Sequence, residues 1–149
     1  MNYTSQEAKL FNLSNYLSKM NPLQQWETKF REEIIQDLKE EGIEFKKENI
    51  EEIIKATSFK ERSRKYQDKC PYYSMGHSCH PKIPELNCFL CACPNYNSNE
   101  EIGGCKIKSP MGKFHFHKNL PRGKVWDCSY CSINHSAEEV RKYLTNLFS

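Results

Sequence analysis

All eight cysteines of the 149-residue chain lie between Cys70 and Cys131. Cys88-x-x-Cys91-x-Cys93-Pro94 and Cys128-x-x-Cys131 form tight knuckles, flanked by Cys70, Cys79 with His80, Cys105 and His135. Two thiolates separated by two residues can turn back onto one ion, because the intervening backbone makes a tight turn whose amides face the sulfurs. The chemistry on offer is therefore thiolate and imidazole coordination of a metal. Tetrahedral zinc takes four N or S donors, so ten candidates, Cys70, Cys79, His80, Cys88, Cys91, Cys93, Cys105, Cys128, Cys131 and His135, exceed the needs of two ions.

The division of these donors stays open. Cys88 and Cys91 can face Cys128 and Cys131 across one ion, leaving Cys70, Cys79 or His80, Cys93, Cys105 and His135 for another. Interleaved divisions are equally open, since Cys91 and Cys93 can point to different ions. Iron is the rival to zinc. Three closely spaced thiolates followed by proline also hold iron–sulfur clusters, which would turn a scaffold into a redox or sulfur-chemistry site. The imidazoles of His80 and His135 beside the cysteines suit zinc better than most clusters. His77 is a weaker candidate. His115 and His117 alternate with Phe114 and Phe116, share one strand face and lack a thiol nearby in sequence, so they read as surface residues.

The surrounding chain limits what such sites are for. No apolar run is long enough for a membrane span, and the first twenty residues lack the basic start and apolar core of an export signal. The expected location is cytoplasmic, where thiols stay reduced, and this demotes a disulfide scaffold. The formal charge of +3 belongs entirely to residues 70–149, because residues 1–69 balance. Coordination of two divalent ions by all eight thiolates would bring that half to about −1, so the basic balance is a poor guide to a partner.

One local run is more informative than the total. Between Ile102 and Trp126 there is no acidic residue, while Lys106, Lys108, Lys113, Lys118, Arg122 and Lys124 are basic and Phe114 and Phe116 lie among them. Such a mixture can hold a phosphate backbone and stack on bases, or it can simply keep a loop in water beside the thiolates. A nucleic-acid or other anionic ligand is thus a secondary expectation, next to an unidentified protein partner. Enzyme chemistry has no cue. No phosphate-binding loop, dinucleotide fingerprint or serine triad is present, and no acid near the cysteines stands out as a general base. Asp127, beside Cys128, reads either as a carboxylate orienting a ligand or as a turn cap.

The elements that must position these residues are helical before Cys70 and irregular after it. Thr4-x-x-Glu7 is a capping box ahead of Leu10, Leu13, Leu17 and Met20 at helical spacing. Asn21-Pro22 opens a second helix whose stripe runs through Trp26, Phe30, Ile34 and Leu38 to Gly42. Ile50, Ile53 and Ile54 mark a third, Ser58-x-x-Glu61 caps a fourth, and Ser136 opens a terminal helix through Val140, Tyr143, Leu144 and Leu147. After Cys70 only eleven Ile, Leu or Val residues remain. So few aliphatics cannot bury enough surface unaided, and metal cross-links are the usual remedy. Tyr72, Tyr73, Phe89, Tyr96, Phe114, Phe116, Trp126 and Tyr130 are expected to form a minor aromatic core around the sites.

Cys79-His80, Asn87-Cys88-x-x-Cys91-x-Cys93-Pro94-x-Tyr96, Gly103-Gly104 beside Cys105, and Asp127-Cys128-Ser129-x-Cys131 followed by His135 together resemble the cysteine-rich small domain family. The resemblance spans about residues 66–148 with four motifs in order. It implies a zinc-finger-like domain that binds metal through those Cys and His positions, and it implies no defined reaction. Cys105 follows the glycine pair where the family pattern has a cysteine before it, and Asn134 stands in place of proline before His135. The expected architecture is a small metal-stapled domain of α plus irregular and short-β structure over residues 66–149, preceded by a helical N-terminal segment over 1–65.

Overall fold

A computed structural model describes residues 22–97 and 100–149 of the chain. The capping box at Thr4 and the stripe to Met20 lie outside the described residues. Helix α1 (Pro22–Glu40) starts with proline at its first position. Its end is set by Gly42, at φ +77°, whose N–H bonds the Lys39 carbonyl while that of Ile43 bonds the Leu38 carbonyl. A left-handed residue closing two carbonyls is a favourable stop that only glycine adopts without strain.

A 3-10 turn (Lys47–Asn49) leads into α2 (Ile50–Ala56), and Thr57-Ser58 leads into α3 (Phe59–Lys65). The Ser58 side chain accepts from the Glu61 N–H at 3.2 Å, and Ser136 does the same for Glu139 at the start of α4 (Ala137–Leu147). Both caps follow from local sequence. Between α3 and α4 regular structure is sparse: a 3-10 turn (Pro71–Ser74) and one antiparallel hairpin, β1 (Lys113–Phe116) with β2 (Lys124–Asp127). Among the described residues the architecture is thus four helices and a two-stranded sheet. No described helix is long and apolar enough to cross a membrane.

The main apolar cluster draws on both sides of Cys70. Ile34, Ile35 and Leu38 of α1 and Ile53, Ile54 and Ala56 of α2 meet Phe89 and Leu90 of the first knuckle and Ala137, Val140 and Leu144 of α4. Nothing between Leu90 and Ala137 belongs to it. That stretch buries Tyr96, Ala92 and little else that is apolar, so its order has another origin.

The apolar stripe expected along α1 holds only in its C-terminal half. Trp26 is 48% exposed and stacks on Phe30, whereas the polar Gln24 and Glu27 are buried. The first turns of the helix face irregular backbone, whose carbonyls and amides need hydrogen-bond partners more than apolar contact.

Candidate metal centre

The cysteines gather in two groups of four. Cys70, Cys79, Cys88 and Cys91 form the first. The buried Cys88 and half-buried Cys91 thiols hydrogen-bond each other. That bond lowers Cys88, and together with burial and the nearby Cys88, Cys79 and Cys70 it pushes Cys91 well above the ordinary thiol range. Burial raises Cys79 as well, with Cys88 and Cys70 adding to it. Thiols raised in this way, as Cys79 and Cys91 are, ionise readily when a cation sits among them.

Around this group stand two imidazoles on one side and, on the other, a phenol and a guanidinium that lower Cys88. His80 Nδ1 lies 3.1 Å from Cys79 Sγ, and His135 Nδ1 lies 3.9 Å from Cys91 Sγ. The two imidazoles stack with ring centroids 4.3 Å apart. Burial pulls His135 down to about 4, with the proximity of His80 adding to it, and burial lowers His80 too. On the far side Tyr73 hydrogen-bonds Cys88, and Arg62 Nε donates to the Tyr73 hydroxyl at 3.2 Å. Arg62 in turn pairs with Asp37 at 3.0 Å, which also receives Lys69 at 2.7 Å. Asp37 and Arg62 are almost wholly buried. This chain from α1 through α3 to a cysteine is absent from the sequence reading. Its only sequence signal is Arg62 on the apolar side of a short helix.

Cys93, Cys105, Cys128 and Cys131 form the second group. Burial raises Cys93 to about 11 and Cys128 to about 12, with Cys131 acting on both and Cys105 on Cys93. Donors point at these sulfurs. Asn134 Nδ2 lies 2.7 Å from Cys93 Sγ, the Asn95 N–H 3.4 Å from the same sulfur, and the Ser109 N–H 3.3 Å from Cys105 Sγ. The Ser109 hydroxyl lies 3.7 Å from Cys131 Sγ. Such contacts are the usual outer support of a ligating thiolate. A cavity between the groups is lined by Cys91 and His135 from one and by Cys93, Cys105, Cys128 and Cys131 from the other.

Helix α1 fastens itself over the peptide joining the groups. Arg31 donates to the carbonyls of Ala92 and Cys93 at 3.3 and 3.0 Å, and Gln24 donates to those of Asn97 and Glu100 at 3.2 Å. Glu27, 3.9 Å from Arg31, accepts from the Cys93 N–H. Burial outweighs both partners and raises its carboxyl to about 7.

The remaining candidates separate cleanly. His77, His115 and His117 are exposed, which fits the surface placement expected of His115 and His117 and leaves the weaker candidate His77 away from the cysteine sets. Asp127 is a turn cap, accepting from the Ser129 N–H and hydroxyl, and not a carboxylate aimed at an imidazole. Gly103, at φ +75°, lies under Tyr96, where a Cβ would overlap the ring. That close approach lets the Tyr96 hydroxyl donate to the Trp126 carbonyl at 2.8 Å. Of the expected aromatic core Tyr73, Phe89 and Tyr96 are buried, but Phe116 and Tyr130 are 71% and 72% exposed. Of the basic run only Arg122 has an acidic partner, Glu101 at 3.5 Å, among the described residues.

As they stand, no three His, Cys, Asp or Glu side chains among the described residues are disposed to close on one ion. The grouping is one of proximity and mutual electrostatic influence. Comparison with protein-family models, with curated proteins and with solved structures finds no match, so the chain is described by its own residues as cysteine-rich, with four helices and one hairpin among the described residues.

Proposed function

We propose that this chain is a metal-folded interaction module holding two zinc ions, one on Cys70, Cys79, Cys88 and Cys91 and the other on Cys93, Cys105, Cys128 and Cys131. One observation carries the reading: beside burial, neighbouring thiols raise Cys79 and Cys91 in one set and Cys93 and Cys128 in the other. A divalent cation supplies the charge that makes such a set ionise, and four sulfurs complete a closed tetrahedral shell without an open position for catalysis. His80 and His135 are then the spare donors, neutral at physiological pH and placed beside the first set. The motif resemblance to the cysteine-rich small domain family points the same way. So does the lack of apolar core between Leu90 and Ala137, where coordination replaces burial. A reduced, cytoplasmic setting suits free thiols.

The test is elemental analysis of anaerobically purified protein together with its visible spectrum. About two zinc per chain and no colour is the expected result. Iron with acid-labile sulfide and a brown protein would replace zinc with a cluster and move the chain to redox or sulfur chemistry. Protein that is folded and free of any metal would remove the reading altogether.

A further inference from the structure

We propose that the β1–β2 hairpin is a binding face for single-stranded nucleic acid, an inference that rests on the metal-folded reading because Cys105 and Cys128 bracket the hairpin. Phe116 and Tyr130 leave about seven-tenths of their surface in water, on a segment that has no apolar core to join. Cations stand over the rings: Lys124 Nζ lies 4.4 Å from the Phe114 centroid and Lys113 Nζ lies 5.2 Å from that of Tyr130. Phe114 is flanked by Phe116 at 6.5 Å and Trp126 at 5.1 Å, and in the pleat Phe114, Phe116, Lys124 and Trp126 share one side.

The charge on the hairpin is only partly answered, since Lys113 stands across the strands from Asp127 and acts on its carboxylate. Lys113, Lys118 and Lys124 make no ion pair among the described residues. The acid nearest the hairpin base, Asp127, is occupied by Ser129. An occupant of the Phe114 side must therefore bring anionic groups for Lys124 and its neighbours and a flat π face for Phe116. Single strands offer both, since unpaired bases stack on aromatic rings while phosphates track a basic groove. A duplex hides its base faces, and an acidic peptide supplies the charge without the rings. The strands carry no exposed aliphatic side chain beside these rings, and the exposed Ile107, Met111 and Ile133 lie on the flanking loops.

The experiment measures binding of the metal-loaded chain to a fluorescent single strand of about 12 nucleotides, oligo-U and oligo-dT in parallel. The expected result is affinity that falls steeply with salt. Lys118→Glu with Lys124→Glu should weaken it about tenfold or more and flatten the salt slope. Phe116→Ala, at an exposed position, should weaken it about fivefold or more and leave the slope unchanged. Metal content is measured on every variant. A chain with full metal that binds neither strand at low salt, or binds only a duplex or anionic phosphatidylserine vesicles, overturns the inference and leaves the metal reading standing. Wild-type binding by both variants overturns it too, because another surface would then be responsible. A chain found without metal overturns the metal reading, and the same two variants still decide the hairpin.

Discussion

Cys91 and Cys93 are separated by a single alanine yet belong to different groups. In an extended strand residues i and i+2 would share a face, but the chain bends at Cys91 and Ala92, so the segment can serve two ions at once. On the proposed assignment Cys91→Ser and Cys93→Ser each cost one ion of about two, read by native mass spectrometry. Placed on a Cys70→Ser background, Cys91→Ser should cost nothing further and Cys93→Ser should remove the second ion. The reverse pattern would assign the ligands differently. Candidate donors can be named from the sequence, because thiol chemistry and knuckle spacing are local properties. The partition cannot, since it depends on where Cys70, Cys79 and Cys105 arrive through irregular chain. Nor could sequence spacing reveal that Tyr73 and Arg62 attend Cys88.

At the scale of elements, the first knuckle is riveted to α2 through Asn87. Its amide donates to the Ile54 carbonyl at 2.8 Å, and its Oδ1 accepts from the Phe89 N–H at 2.8 Å and from the Thr57 hydroxyl at 3.1 Å. Thr57 also accepts the Cys88 N–H on its carbonyl at 2.9 Å. Asn87 is 1% exposed, so removing its amide strands buried backbone groups where water does not reach. Asn87→Ala is expected to cost about 2–4 kcal/mol in urea unfolding at constant metal loading. A loss below about 0.5 kcal/mol would mean the junction relaxes and finds other partners. The helix caps at Ser58 and Ser136 and the stop at Gly42 were legible because capping is a matter of a few adjacent residues. The buried polar turns of α1 were not, because Gln24, Glu27 and Arg31 answer to carbonyls and amides sixty and more residues away.

For the whole molecule, the shared core changes what metal loss should do. The sequence divides at Cys70, and that division suggests that a chelator unfolds the cysteine half and spares the helical signal of the first sixty residues. Phe89 and Leu90 of the knuckle, however, pack directly with Ile34, Ile35 and Leu38 of α1 and with Val140 and Leu144 of α4. Stripping zinc at neutral pH with a strong chelator is therefore expected to lower the far-UV helical signal in one transition, together with the aromatic signal. A helical remnant that keeps its original melting temperature would show that α1, α2 and α4 stand without the knuckle.

The hairpin is a two-stranded sheet, and so both of its strands are edges. An exposed edge beside an exposed Phe116 is an invitation to pair with a second copy and aggregate. Lys113 and Lys124 sit on these edges as gatekeepers, whatever else they touch. Neutralising them would strip that protection and confuse weakened binding with self-association, whereas replacing a lysine by glutamate reverses the field and keeps the edge guarded by charge.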